Sequence, residues 1–104
     1  MGRILIADDH DSLRRGLAQA VGEAGHEVEE APNGNAAIEK LHEGTFDVIV
    51  SDLKMGGSTG IDVLKTAKTL HPTCAVILMT AFGSVSTAVE AMKAGAFDYV
   101  QKPF

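Results

Sequence analysis

The stretch Arg3-Ile4-Leu5-Ile6-Ala7-Asp8-Asp9 (RILIADD) poses the question that decides the fold. Its apolar run reads as a buried strand, yet it ends in like charges, and Asp11 follows two positions on. Two carboxylates about 4 Å apart repel by roughly 4 kcal/mol at an effective dielectric constant of about 20. A chain that gathers them needs something to offset the repulsion.

Working outward, short apolar segments recur: Arg3 to Ala7, Val28 to Ala31, Phe46 to Ser51, Ala75 to Met79 and Asp98 to Gln101. The runs FDVIVS and AVILM contain apolar stretches without polar alternation, which marks strands covered on both faces, as in a parallel sheet. The second segment carries Glu29 and Glu30 and is polar enough for a sheet edge. Between the strands lie helical patterns. Ser12 to Ala24 puts Leu13, Leu17, Ala20 and Val21 on one stripe. Asn35 to His42, Gly60 to Leu70 and Ser84 to Ala94 show the same period. Strict alternation of strand and helix implies right-handed crossovers and a parallel sheet with helices on both faces.

A length of 104 residues fits one domain, residues 1–104. A chain this size buries roughly 65% of its unfolded surface, enough for one core. The apolar runs are too short to cross a bilayer, and the start does not read as a signal peptide. The single cysteine, Cys74, rules out an internal disulfide and fits a reducing, cytoplasmic compartment. A net charge of −5 argues against direct nucleic-acid contact.

Ligands of open α/β sheets bind outside the carboxyl ends of the strands. The first strand delivers Asp8 and Asp9 there, the third Asp52, the fourth Thr80 and the fifth Lys102. In the strand order 2-1-3-4-5 the first and third strands are neighbours, so Asp8, Asp9 and Asp52 converge. Such carboxylates suit a hard divalent cation, Mg²⁺ or Mn²⁺, which offsets their repulsion. Lys102 and Thr80 then face an anion, and a phosphoryl group fits that role. A carboxylate can itself become an aspartyl-phosphate. Taken singly, each residue has a plainer reading: Asp8 and Asp9 as a turn and helix cap, Thr80 as a turn residue, Lys102 as a solvated lysine. Their convergence favours the site. Asp11 or Ser12 is the expected helix cap, His10 a solvent-facing loop residue, and Cys74 a small packing residue.

The motifs IADDHDS, DVIVSDLKM, ILMTAFG and DYVQKPF, in this order and spacing, resemble the receiver domain of two-component response regulators across the whole chain. TAFGSVSTAVEAMKAGAFDYVQKPF is similar to NtrC-type receivers. The resemblance implies a flavodoxin-like, doubly wound α/β fold. It implies that Asp52 accepts phosphate from a sensor histidine kinase or phosphotransfer protein. Asp8, Asp9, Asp52 and the backbone carbonyl of Lys54 would bind Mg²⁺. Thr80 would bond a phosphoryl oxygen, and Lys102, preceding a cis bond to Pro103, would pair with the phosphoryl group. Tyr99 would be the aromatic that turns inward as the switch operates. The parent protein would carry an output domain, for transcription regulation, and the receiver itself would be a phosphoprotein in signal transduction rather than a turnover enzyme.

The chain departs from the family pattern twice. Gly56 and Gly57 follow Met55 where proline is usual, which predicts a more mobile loop. The chain stops at Phe104, where the family continues into a fifth helix. Four helices are therefore expected, with an apolar patch left bare and a tendency to form a homodimer. Three rivals remain. A phosphatase of the haloacid-dehalogenase kind uses the same groups but a different first-strand motif. A flavodoxin-like electron carrier would meet repulsion between three aspartates and the FMN phosphate. A degenerate receiver would act as a binding module without phosphorylation.

Overall fold

Five short strands, joined by four helices rather than by tight turns, have to pair in parallel. The computed structural model describes residues 2–55, 57–80 and 85–101. Along them run β1 (Arg3–Ala7), α1 (Asp11–Glu23), β2 (Glu27–Ala31), α2 (Gly34–Glu43), β3 (Val48–Asp52), α3 (Gly60–Leu70), β4 (Ala75–Thr80), α4 (Val85–Lys93) and β5 (Asp98–Gln101). The strands form one parallel sheet in the order β2-β1-β3-β4-β5. The chain moves outward from β1 to β2, then back past β1 to β3 and onward. Right-handed crossovers therefore put α1 on one face and α2, α3 and α4 on the other.

The second face holds the main core. Leu5, Ile49, Val76 and Leu78 from the strands meet Leu41 and Leu64 from α2 and α3, all fully buried. Each such side chain contributes about 1.5–3 kcal/mol by leaving water. On the α1 face, Leu17, Val50, Ile77, Met79 and Val100 line an open apolar groove of about 260 Å³.

The edge strand β2 explains its own acids. Neighbouring residues on a strand point to opposite faces. Glu29 pairs with Lys40 of α2 at 3.1 Å and with Arg3, while Glu30 pairs with Arg14 of α1 at 3.0 Å. Each face of the edge is thus tied to the helix that covers it.

Several boundaries move by one or two residues from expectation, and two of the shifts have a visible cause. β3 begins at Val48 rather than Phe46. Phe46 is buried and lies under the Arg3 guanidinium, 4.9 Å from its ring centre, while Asp47 takes the Arg3 N–H at 2.8 Å. Asp47 still bonds both neighbouring strands, its N–H to the Arg3 carbonyl at 2.8 Å and its carbonyl to the Ala75 N–H at 3.1 Å, so the hydrogen bonds of the ladder run one residue ahead of the strand. α1 begins at Asp11 with His10 as its N-cap, not Asp11 or Ser12. The His10 carbonyl already accepts the Arg14 N–H at 2.9 Å, which starts the helix one residue early.

Two glycines are needed because backbone passes too close for a side chain. A Cβ on Gly34 would lie 1.9 Å from the Ser58 carbonyl oxygen, and one on Gly60 would lie 2.5 Å from that of Asp52. Gly16 meets nothing within 4 Å. We expect Gly34→Ala and Gly60→Ala each to lower stability by about 1–3 kcal/mol in urea unfolding. Gly16→Ala, in the exposed middle of α1, should raise it by about 0.5–1 kcal/mol. Equal effects at all three positions would refute the close-approach account.

Candidate functional site

The parallel sheet brings its polar residues to one edge by placing them at strand ends. Asp8 follows β1 and is fully buried, at 0% exposure. Asp52 ends β3 and is 5% exposed, and Thr80 ends β4 at 1%. Asp9 stands on the exposed side of the turn. One ligand atom each from Asp8, Asp9, His10 and Asp52 lie within 4.8 Å of one another. The pairing of β1 with β3 is what closes this distance.

Local hydrogen bonds fix the acidic turn. The Asp8 N–H donates to the Ala31 carbonyl at 3.1 Å, extending the ladder to β2 by one bond. An Asp8 carboxylate oxygen accepts the His10 N–H at 2.9 Å. Behind the turn sits Arg14, a buried cation on α1. Its Nη1 donates to the Asp8 carbonyl at 2.9 Å and meets the Asp11 carboxylate at 2.8 Å, while its Nε meets Glu30 at 3.0 Å. Burial works against the Arg14 charge, but the bonds to Asp11 and Glu30 outweigh it and raise the pKa above its ordinary value. Arg14 escaped sequence reasoning. The available signal was an arginine three residues before Leu17, close to the apolar stripe and six after Asp8.

The residues expected at the site divide as follows. Asp8, Asp9 and Asp52 come together. Thr80 ends the strand next to β3. Lys54 has an exposed side chain two residues past Asp52. Tyr99 of β5 is half-buried against the core beside Leu78, and its hydroxyl is buried with no hydrogen-bond partner among the described residues. Lys102 and Pro103 lie outside the described residues, as does Gly56. The stretch after Gly56 is fastened rather than loose: Ser58 Oγ donates to the Asn35 side chain at 2.6 Å, and its N–H donates there at 3.2 Å. His10 is the solvent-facing residue expected, and its Nδ1 also lies 3.2 Å from carboxylate oxygens of both Asp8 and Asp9.

Residues 4–104 match the Response regulator receiver domain family. The chain belongs to that family. It is 44% identical to the regulatory protein AtoC of Escherichia coli K12, over all of this chain and 23% of that protein. It is 41% identical to the DNA-binding transcriptional regulator NtrC of Salmonella typhimurium LT2, over 99% of this chain and 22% of that one. The chain therefore spans less than a quarter of the length of these relatives. A response regulator from Burkholderia pseudomallei, crystallised with a phosphorylated aspartic acid, a calcium ion and citrate, superposes with a TM-score of 0.94. That match is 29% identical and covers all of this chain and 61% of the other. The beryllofluoride-activated NtrC4 receiver domain dimer superposes with a TM-score of 0.90, at 36% identity over 98% of this chain and 84% of that one. The receiver is thus of the NtrC kind, and its fold is the one anticipated from sequence.

Two variants probe this environment. Arg14→Ala removes a partner of the buried Asp8 carbonyl and of the solvent-reachable Asp11 and Glu30 carboxylates, and should cost about 1–3 kcal/mol in chemical denaturation. Arg15→Ala, on the exposed side of the same helix, should stay within about 0.5 kcal/mol of the parent. Cys74 is buried, and that burial raises its thiol pKa. Alkylation by iodoacetamide at pH 8 should therefore track unfolding, and fast labelling of the folded chain would contradict this.

Proposed function

We propose that the chain is a phosphorylation-controlled switch, residues 1–104 forming one receiver domain, with Asp52 as the phosphoacceptor. The observation that carries the reading is the meeting of the buried Asp52 carboxylate with Asp8 and Asp9 at the ends of adjacent strands. The phosphorylated aspartic acid in the similar Burkholderia pseudomallei protein supports it.

An Asp52 carboxylate oxygen attacks the phosphorus of a phosphohistidine on a sensor kinase or phosphotransfer protein. A P–O bond forms as the P–N bond breaks, and the electron pair returns to the imidazole nitrogen, which is then protonated. Asp8, Asp9 and Asp52, with the Lys54 carbonyl, would hold Mg²⁺ or Mn²⁺. Their oxygen donors fit a hard cation, and the calcium ion of the Burkholderia protein is of that class. The cation supplies charge neutralisation between these carboxylates and an incoming phosphoryl group. The Thr80 hydroxyl donates to a phosphoryl oxygen, and Lys102 pairs with the same group. Thr80 and Tyr99 on β4 and β5 then shift between two populations, changing the surface that an output domain reads. The NtrC and AtoC relatives support transcription as that output. The chain is the acceptor of the group rather than a catalyst that turns over. Among the described residues no helix is long and apolar enough to cross a membrane, and the reducing compartment suggested by Cys74 fits a cytoplasmic site of action. The bare groove on the α1 face and the NtrC4 dimer support self-association.

The test is intact-mass measurement after incubation with a small phosphodonor, with and without Mg²⁺. A Mg²⁺-dependent gain of one phosphoryl group, absent from Asp52→Asn, is expected. A folded chain that gains nothing would leave the phosphorylation-independent binding module as the better reading. Sedimentation at high concentration should show dimer, and a monodisperse monomer would remove the homodimer from this proposal.

A further inference from the structure

We propose that Arg14 is a positioning residue for phosphoryl acceptance: it aims Asp8 and Asp9 through the main chain, and Glu30 on β2 holds it in place to do so. This rests on the reading of Asp52 as a phosphoacceptor flanked by Asp8 and Asp9. It adds a control point behind the acidic turn, outside the carboxylates themselves.

The Asp8 side chain is fully buried, so its direction follows from its backbone. That backbone is tied on both sides. The Asp8 N–H donates to the Ala31 carbonyl of β2 at 3.1 Å, and the Asp8 carbonyl accepts from Arg14 Nη1 at 2.9 Å. The carbonyl belongs to the planar peptide that joins Asp8 to Asp9. One bond from Arg14 therefore orients the main chain from which both acids depart.

Arg14 is itself held at more than one point. Nη1 also meets the Asp11 carboxylate at 2.8 Å, and Nε meets that of Glu30 at 3.0 Å. A guanidinium is rigid and planar, so anchoring Nε aims Nη1. The side chain is only 8% exposed and has little room to turn away. Two carboxylates share this one cation, so direction is what separates it from a lysine at the same place. Glu30 is not among the acids that gather around Asp52, and its route to them is Arg14. Phosphoryl transfer depends mainly on positioning, and a displacement of about 1 Å can cost roughly a hundredfold in rate.

The test follows the gain of a phosphoryl group by intact mass, with acetyl phosphate as donor and Mg²⁺ at saturation. Circular dichroism keeps every variant below its unfolding transition. In Arg14→Ala we expect the initial rate to fall about tenfold or more. Arg14→Lys keeps the charge without the fork and should fall about as far. Glu30→Ala should slow the gain about threefold or more, whereas Glu30→Gln keeps an acceptor for Nε and should stay within about twofold of the parent. Leu41→Ala, in the α2 core, loses at least as much stability as Arg14→Ala and should also stay within about twofold. A rate for Arg14→Ala within twofold of the parent, or an equal loss in Leu41→Ala, overturns the proposal. If Arg14→Ala does not fold, the Glu30 pair decides: a parental rate in Glu30→Ala, or Glu30→Gln as slow as Glu30→Ala, overturns it. Phosphorylation that requires Asp52 but ignores Arg14 and Glu30 overturns this inference alone. A folded parent chain that gains no phosphoryl group overturns the underlying reading as well.

Discussion

Two carboxylates that water scarcely reaches, Asp8 and Asp52, have to coexist at the ends of adjacent strands. Burying one charge is expensive, and burying two of the same sign compounds the cost. The rest of the architecture can be read as the terms on which this is tolerated. β1 and β3 run parallel, so both acids arrive at the same edge. Backbone bonds on either side keep the turn from relaxing: Asp8 to Ala31, and the Leu53 N–H to the Met79 carbonyl at 2.8 Å. Arg14 supplies positive charge from behind through the Asp8 carbonyl, leaving the carboxylate side open to Asp9 and His10.

Much of this was legible in the sequence because it follows from periodicity and position. The runs FDVIVS and AVILM lack alternation, and the helical stripes between strands leave few topologies open. Strand order then dictates which strand ends meet, and Asp8, Asp9 and Asp52 follow from that. The remainder depends on side chains choosing partners, which no local period encodes. Phe46 reads as strand but lies ahead of it, buried under the Arg3 guanidinium. Arg14 reads as one cation among several on a surface helix. Its burial goes with three partners, the Asp8 carbonyl, Asp11 and Glu30. His10 was expected to face solvent and does, but its contacts with Asp8 and Asp9 were not legible from the sequence. The capping box of α3, Thr59 with Asp62, is a local pattern that the reading of the sequence passed over.

The two faces of the sheet are finished differently. On the α2–α3 side the strand residues are sealed into a continuous core. On the α1 side, Leu17 and the apolar residues of β3, β4 and β5 border open space. A helix can cover only the strands its crossover spans, and α1 joins β1 to β2 at one end of the order. Cover for the other end has to come from another element or another molecule.

The close passage of Gly34 past Ser58 has a mechanical meaning. The segment after Asp52 is pinned at one end to the first turn of α2, through Gly34 and Asn35, and at the other to the carbonyls of Asp52 and Leu53, through Gly60. It behaves as a strut between two helices rather than as a hinge. Displacement that begins at Asp52 meets stiffness on the α2–α3 side. Toward β5, the Tyr99 hydroxyl is buried without a bond among the described residues. The path of this segment is thus set by where a methyl group would not fit.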